Sequence, residues 1–155
     1  MDRSIKRIVL IFGLTLSICA IAFGQGTKPP AVKPAADDLA PIKSSPAYAE
    51  LQLKRTEILS DLESLLLEYT EDFPKIKEFR NMITLIDRDI ARISKVKPAD
   101  ATKLTLALGK LMVRRIELET DLWNLQRSYQ DGHPDVKRAK RKVEIYETAI
   151  SDILN

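Results

Sequence analysis

Two stretches, Leu51-Gln-Leu-Lys-Arg55-Thr-Glu57-Ile-Leu-Ser-Asp61-Leu62-Glu-Ser-Leu65-Leu-Leu-Glu-Tyr69-Thr-Glu-Asp-Phe-Pro74-Lys-Ile-Lys77 and Leu111-Met-Val-Arg-Arg115-Ile-Glu117-Leu-Glu-Thr-Asp121-Leu122-Trp-Asn-Leu125-Gln-Arg-Ser-Tyr129-Gln-Asp-Gly-His-Pro134-Asp-Val-Lys137, decide the fold. They align at an offset of sixty residues without a gap, and the match continues to Ile90/Ile150 and Ile93/Ile153. Any two heptad helices share some leucines by accident. A shared Tyr and Pro on either side of a break in the pattern is a different matter, and it marks an internal duplication.

Each copy reads as helix, turn, helix. Apolar residues recur at heptad spacing through Tyr48, Leu51, Ile58, Leu62, Leu65 and Tyr69. The pattern breaks at Glu71–Pro74 and resumes through Ile76, Phe79, Ile83, Ile86, Ile90 and Ile93. Ser45-Pro46 opens the first helix, because Ser caps well and a proline at the first helical position lacks only an N–H that would be unpaired there. Lys95 and Lys97 suit a helix C-terminus, and Pro98 ends the element. Asp100 is expected to cap a third helix over about Ala101 to Tyr129, with the strand-like alternation at Leu104–Leu108 absorbed into it. Asp131-Gly132-His133-Pro134 is the second turn, and Val136, Val143, Tyr146, Ile150 and Ile153 carry the fourth helix. Turns this short lay consecutive helices side by side and antiparallel. The expected fold is all-α: two tandem antiparallel coiled-coil hairpins, over residues 46–97 and 98–155, arranged as an up-down four-helix bundle. Two separate hairpins, each completed by another chain, is the alternative.

Ahead of them, Met1 to Arg7 is short and basic, Ile8 to Phe23 is uncharged, and Ala22-Phe23-Gly24 places small residues at −3 and −1. Residues 1–24 therefore read as a secretory signal peptide, which implies a periplasmic or secreted protein. An uncleaved anchor in the inner membrane is the alternative, although the run is short for a spanning helix. Lipidation at Cys19 is a third reading, opposed by the bulky Ile18 before it. Residues 25–45 hold Pro29, Pro30, Pro34 and Pro41 among Ala and Lys and read as a disordered tether.

Composition narrows the function. Of the 155 residues, 30 % are charged, yet the formal net charge is only +3 and part of that excess lies in the signal segment. A basic pI therefore does not signal nucleic-acid binding. With one cysteine and one histidine, no disulfide framework or metal cluster is expected. No phosphate-binding glycine loop or Ser-His-Asp set is present, and helical heptads spread the carboxylates over wet faces. The expectation is a protein that is not an enzyme, takes no cofactor or metal and has no small-molecule substrate.

Arg55 and Arg115 occupy core-type heptad positions. Folding each hairpin brings Arg55 towards Asp87 and Arg115 towards Glu147, as register-setting ion pairs. Tyr69, Pro74, Tyr129, His133 and Pro134 are turn residues, with each Tyr ring expected over its turn near Ile76 or Val136. Lys137, Arg138, Lys140, Arg141 and Lys142 form a basic cluster, read as a solvated face or as a contact for acidic glycan or lipid headgroups. Trp123, where the first copy has Glu63, is a candidate anchor for a protein partner.

The segment Leu125-Gln-Arg-Ser-Tyr129-Gln-Asp-Gly-His133-Pro134-Asp135-Val136-Lys137, with Ile145 and Ile150 beyond it, resembles the periplasmic coiled coil of exopolysaccharide chain-length determinant proteins, the polysaccharide co-polymerases. Those proteins carry a Tyr, a short gap, His-Pro-Asp/Glu-Val and a second helix. The likeness covers residues 108–153, with a fainter echo over 51–93. Neither the C-terminal membrane helix nor the kinase domain of that family is read in this sequence, so the resemblance is partial. It implies a hairpin, an extracytoplasmic address and a link to polysaccharide export. Together these readings point to an exported coiled-coil scaffold of the cell envelope that binds a protein partner or self-associates through helical faces. A periplasmic holding chaperone for unfolded clients is the alternative.

Overall fold

The computed structural model describes residues 39–155, and the signal segment, Cys19 and residues 25–38 of the tether lie outside it. Five α-helices and one 3-10 helix make up the described chain: α1 Ala40–Lys43, α2 Pro46–Leu66, α3 Pro74–Ile93, the 3-10 helix Pro98–Lys103, α4 Leu106–Ser128 and α5 Pro134–Leu154. No strand occurs among the described residues, and none of their helices is long and apolar enough to cross a membrane. The all-α expectation and the two antiparallel hairpins hold. Shifted by sixty residues, α2 starts where α4 starts and α3 where α5 starts.

Local chemistry sets the helix ends. Ser45 caps α2 by accepting from the Tyr48 amide at 3.3 Å, and its hydroxyl donates to the Ile42 carbonyl at 2.6 Å. Thr105 caps α4 through the Leu108 amide at 3.2 Å. Prolines open α2, α3 and α5, where a missing N–H costs nothing.

Two boundaries differ from expectation. The tether does not reach residue 45: Ala40–Lys43 is a helix with Ile42 fully buried in the core, because the one Ile of that stretch finds an apolar site beneath α2. The third helix begins at Leu106 rather than Ala101. Asp100 lies in the 3-10 turn, 3.8 Å from Lys103, and Thr105 is the cap instead. Of the strand-like alternation at Leu104–Leu108, Leu106–Leu108 belong to α4, while Thr105 ahead of them is extended and Leu104 is buried.

The long helices alternate in direction. Pairings 78↔124 and 89↔115 make α3 and α4 antiparallel, while 47↔109 and 54↔117 make α2 and α4 parallel. Helix α4 is central, packing on α2, α3 and α5. Its approach to α2 depends on Gly109, where an added Cβ would fall 2.9 Å from Glu50 Cβ and 3.0 Å from Ala47 Cα. The Ala47 amide, unpaired within its own helix, donates across the same seam to the Leu104 carbonyl at 3.2 Å. The core runs along this seam through Leu51, Ile58, Ile86, Ile93, Leu108, Met112, Ile116 and Ile150.

Candidate functional site

Where the hairpins meet, charge enters the core. Arg115 of α4 is 3 % exposed and Asp89 of α3 is 1 % exposed. Arg115 Nη2 donates to both Asp89 oxygens, at 2.8 and 2.7 Å, and Nη1 donates to Glu119 at 2.6 Å. Arg115 Nε makes no hydrogen bond and lies 3.4 Å from Glu147 Oε2. Around this pair, Arg88 forks onto Glu119 at 3.2 and 2.8 Å, and Arg92 donates to Glu147 at 2.7 Å and to Ser151 at 3.1 Å. Three guanidiniums thus face three carboxylates across α3, α4 and α5, beside an open cleft of about 450 Å³. Burial pushes the Asp89 carboxyl above its ordinary range, against the pull of Arg115, Arg88 and Arg92. The hydrogen bonds from Arg88 to Glu119 raise the guanidinium further above its already high range. The cluster joins the two hairpins through contacts of α3 with α4 and with α5.

Sequence reasoning located part of this. Arg55 and Asp87 do meet, at 2.7 Å, and Arg115 does approach Glu147. The shortest bonds of Arg115, however, go to Asp89 and Glu119, which were not singled out, nor were Arg88 and Arg92. The signal for Asp89 was available. It continues the heptad Met82, Ile86, Asp89, Ile93, so a carboxylate stands at a core position facing an arginine at another.

At each hairpin tip an aromatic stack forms. Tyr69 stacks on Phe73, with centroids 4.3 Å apart and planes at 15°, and Tyr129 stacks on His133 at 4.2 Å and 24°. Each Tyr ring lies over its turn and stacks on the residue before the helix-opening proline, four positions on. Tyr69 and Tyr129 remain 44 % and 45 % exposed, and Leu67 beside the first is 88 % exposed. His133 also caps α5, its Nδ1 accepting from the Asp135 amide at 3.2 Å. Because α2 and α4 run parallel, both aromatic tips lie at one end of the molecule.

The basic cluster on α5 is largely paired with carboxylates. Arg138 pairs with Asp135, Lys140 with Asp131 at 3.0 Å and Arg141 with Glu144 at 3.1 Å. Lys137 and Lys142 have no carboxylate partner among the described residues. Asp131 is held below the usual carboxylate range by hydrogen bonds from Gln126 and Lys140. Trp123 is half-buried under the Arg127 guanidinium, 4.9 Å from its ring centroid. The first hairpin fills the position of Ala139 with Phe79. In the second, the smaller residue leaves a cleft of about 470 Å³ between α4 and α5, floored by Leu118 and Leu125. No family model, curated protein or solved structure matches this chain.

Proposed function

We propose that this chain is an exported, non-catalytic scaffold of the cell envelope, docking an envelope protein through its hairpin tips, with a link to polysaccharide export. The observation that carries the reading is the tip geometry. Parallel α2 and α4 bring two exposed tyrosines, each stacked on a half-buried ring, and Leu67 to one end. Exposed aromatics beside an apolar side chain are the kind of surface that anchors an interface. The signal-like residues 1–24 support an extracytoplasmic address, and the Tyr129…His133-Pro134-Asp135-Val136 likeness supports the connection to polysaccharide co-polymerases. Carboxylates pair with three of the five basic residues of the α5 cluster, Arg138, Lys140 and Arg141, which favours a protein partner over acidic glycan or lipid headgroups.

The test is crosslinking in native envelopes followed by mass spectrometry, comparing the parent with a Tyr69→Ala/Tyr129→Ala variant. Capture of one or two envelope proteins by the parent, lost in a variant that retains its helical circular dichroism, is the expected result. Capture that survives the double substitution removes the tips from the argument. Suppression of aggregation of unrelated clients, without discrete partners, favours the holding-chaperone reading instead. A mature protein recovered from the cytoplasm removes the envelope.

A further inference from the structure

The sixty-residue repeat relates more than helix boundaries. It relates the joint between the two hairpins to two surfaces that face solvent. At the joint, α4 inserts against α2 and α3. By the same shift, the outer face of α2 is the counterpart of the inserting face of α4, and the α4–α5 surface is the counterpart of the receiving α2–α3 surface. We propose that a second copy of this chain occupies these surfaces, α2 of one copy packing parallel to α4 of the next, in a head-to-tail array. This deepens the scaffold reading by naming a second copy as one of its partners, but it rests on the repeat and not on any envelope address.

Three observations carry it. The first is exposure. On the inserting side, Val113 follows Gly109 by one helical turn and packs against the core, while its counterpart Leu53 is 57 % exposed. On the receiving side, Leu85 lies on the α3 stripe with Glu78 and Asp89, which bond to α4. Leu85 is 8 % exposed, while its counterpart Ile145 is 54 % exposed. A large apolar residue thus stays more than half exposed at each of these two positions.

The second is close approach. Gly109 fits against Ala47 at the internal joint, and the corresponding pair at the open joint is Ala49 against Ala107, both small and both exposed.

The third is charge. Glu57, Lys54, Glu117 and Arg114 form a ladder of alternating sign across the internal joint, with successive separations of 3.8, 3.4 and 2.8 Å. The ladder ends on Arg114, the counterpart of Lys54, and begins on Glu57, the counterpart of Glu117. Both end groups are 54 % exposed. Docking a second copy sets its Glu57 against Arg114 and continues the ladder with the correct sign. The Arg88–Glu119 pair of the joint becomes Thr148 and Leu59, and the Asp89–Arg115 pair becomes Ala149 and Arg55, the latter held by Asp87 of its own hairpin, while Lys142 stands where the joint has Met82. The contact is heterologous, and it propagates as a filament or closes as a ring according to the rotation per step. Lateral stacking of this kind sets the aromatic tips of successive copies along one edge.

Sedimentation velocity of the full chain tests the inference, using Leu53→Glu to block the inserting face and Ile145→Glu to block the receiving face. Both positions are exposed, so helical circular dichroism should match the parent. The parent should form concentration-dependent oligomers. Each variant alone should lose every species above the monomer, and an equimolar mixture should give a one-to-one dimer through the two unblocked faces. A parent that stays monomeric, a variant that assembles on its own, or a mixture that stays monomeric overturns the proposal. Failure here with tip crosslinking intact leaves the scaffold reading standing, whereas assembly without any envelope partner removes only that reading.

Discussion

Replacing Asp89 with Ala leaves the Arg115 guanidinium in the core without its two shortest contacts to α3, and this is the sharpest test of the packing argument. Removing one partner of a buried ion pair costs about 3–5 kcal/mol, because the remaining charge stays desolvated. Arg115 retains Glu119 at 2.6 Å and Glu147 at 3.4 Å, so the lower end of that range applies, about 3 kcal/mol. For a fold of this size that corresponds to a fall in Tm on the order of 10 °C. The neutral pair Asp89→Leu/Arg115→Met removes the desolvation cost together with the attraction. It should be neutral, or more stable than the parent by about 1–4 kcal/mol. Urea unfolding of the parent, Asp89→Leu, Arg115→Met and the double variant, followed at the helical circular dichroism band, gives all four corners of the double-mutant cycle. The rival is water: the cleft beside the pair is large enough to admit it, and a wet pair is worth only about 0–1 kcal/mol. A single substitution that costs less than about 1 kcal/mol, with no coupling between the sites, would refute the dry joint.

Three further outcomes follow from the geometry. Gly109→Ala should destabilise by about 1–2 kcal/mol despite the better helix propensity of Ala, since its Cβ meets Ala47 Cα rather than a movable side-chain end; a stability gain in thermal unfolding would mean that α2 and α4 sit farther apart. Thr105→Ala should cost about 1 kcal/mol through loss of the α4 cap, whereas Asp100→Ala should change thermal stability little. Carboxyl NMR titration should find Asp89 above and Asp131 below the ordinary Asp range. Stability linked to Asp89 is then present at acid pH and lost as pH rises through its raised value, while that linked to Asp131 is present above the unfolded value and lost as pH falls through its lowered one; Asp89 titrating low would show its guanidinium neighbours outweighing burial.

Sequence periodicity alone carried the helices, the two turns and the repeat, because heptad spacing, prolines at the first helical position and a break shared at one offset are all local or translational signals. The Arg55–Asp87 pair was legible for the same reason, since folding a hairpin about a known turn fixes which residues face each other. Two boundaries were not, and both were settled by burial: Ile42 had a core site to enter, and Leu104 turned inward so that Thr105, not Asp100, became the cap. The rest belongs to the tertiary structure. Hairpin geometry says nothing about how one hairpin meets another, so the parallel packing of α2 on α4, the closeness at Gly109 and the choice of Asp89 as partner of Arg115 emerge only when the two are assembled. A charge at a core heptad position announces that it needs a partner. Which helix supplies one is decided by the register between non-adjacent elements, and no local pattern encodes that.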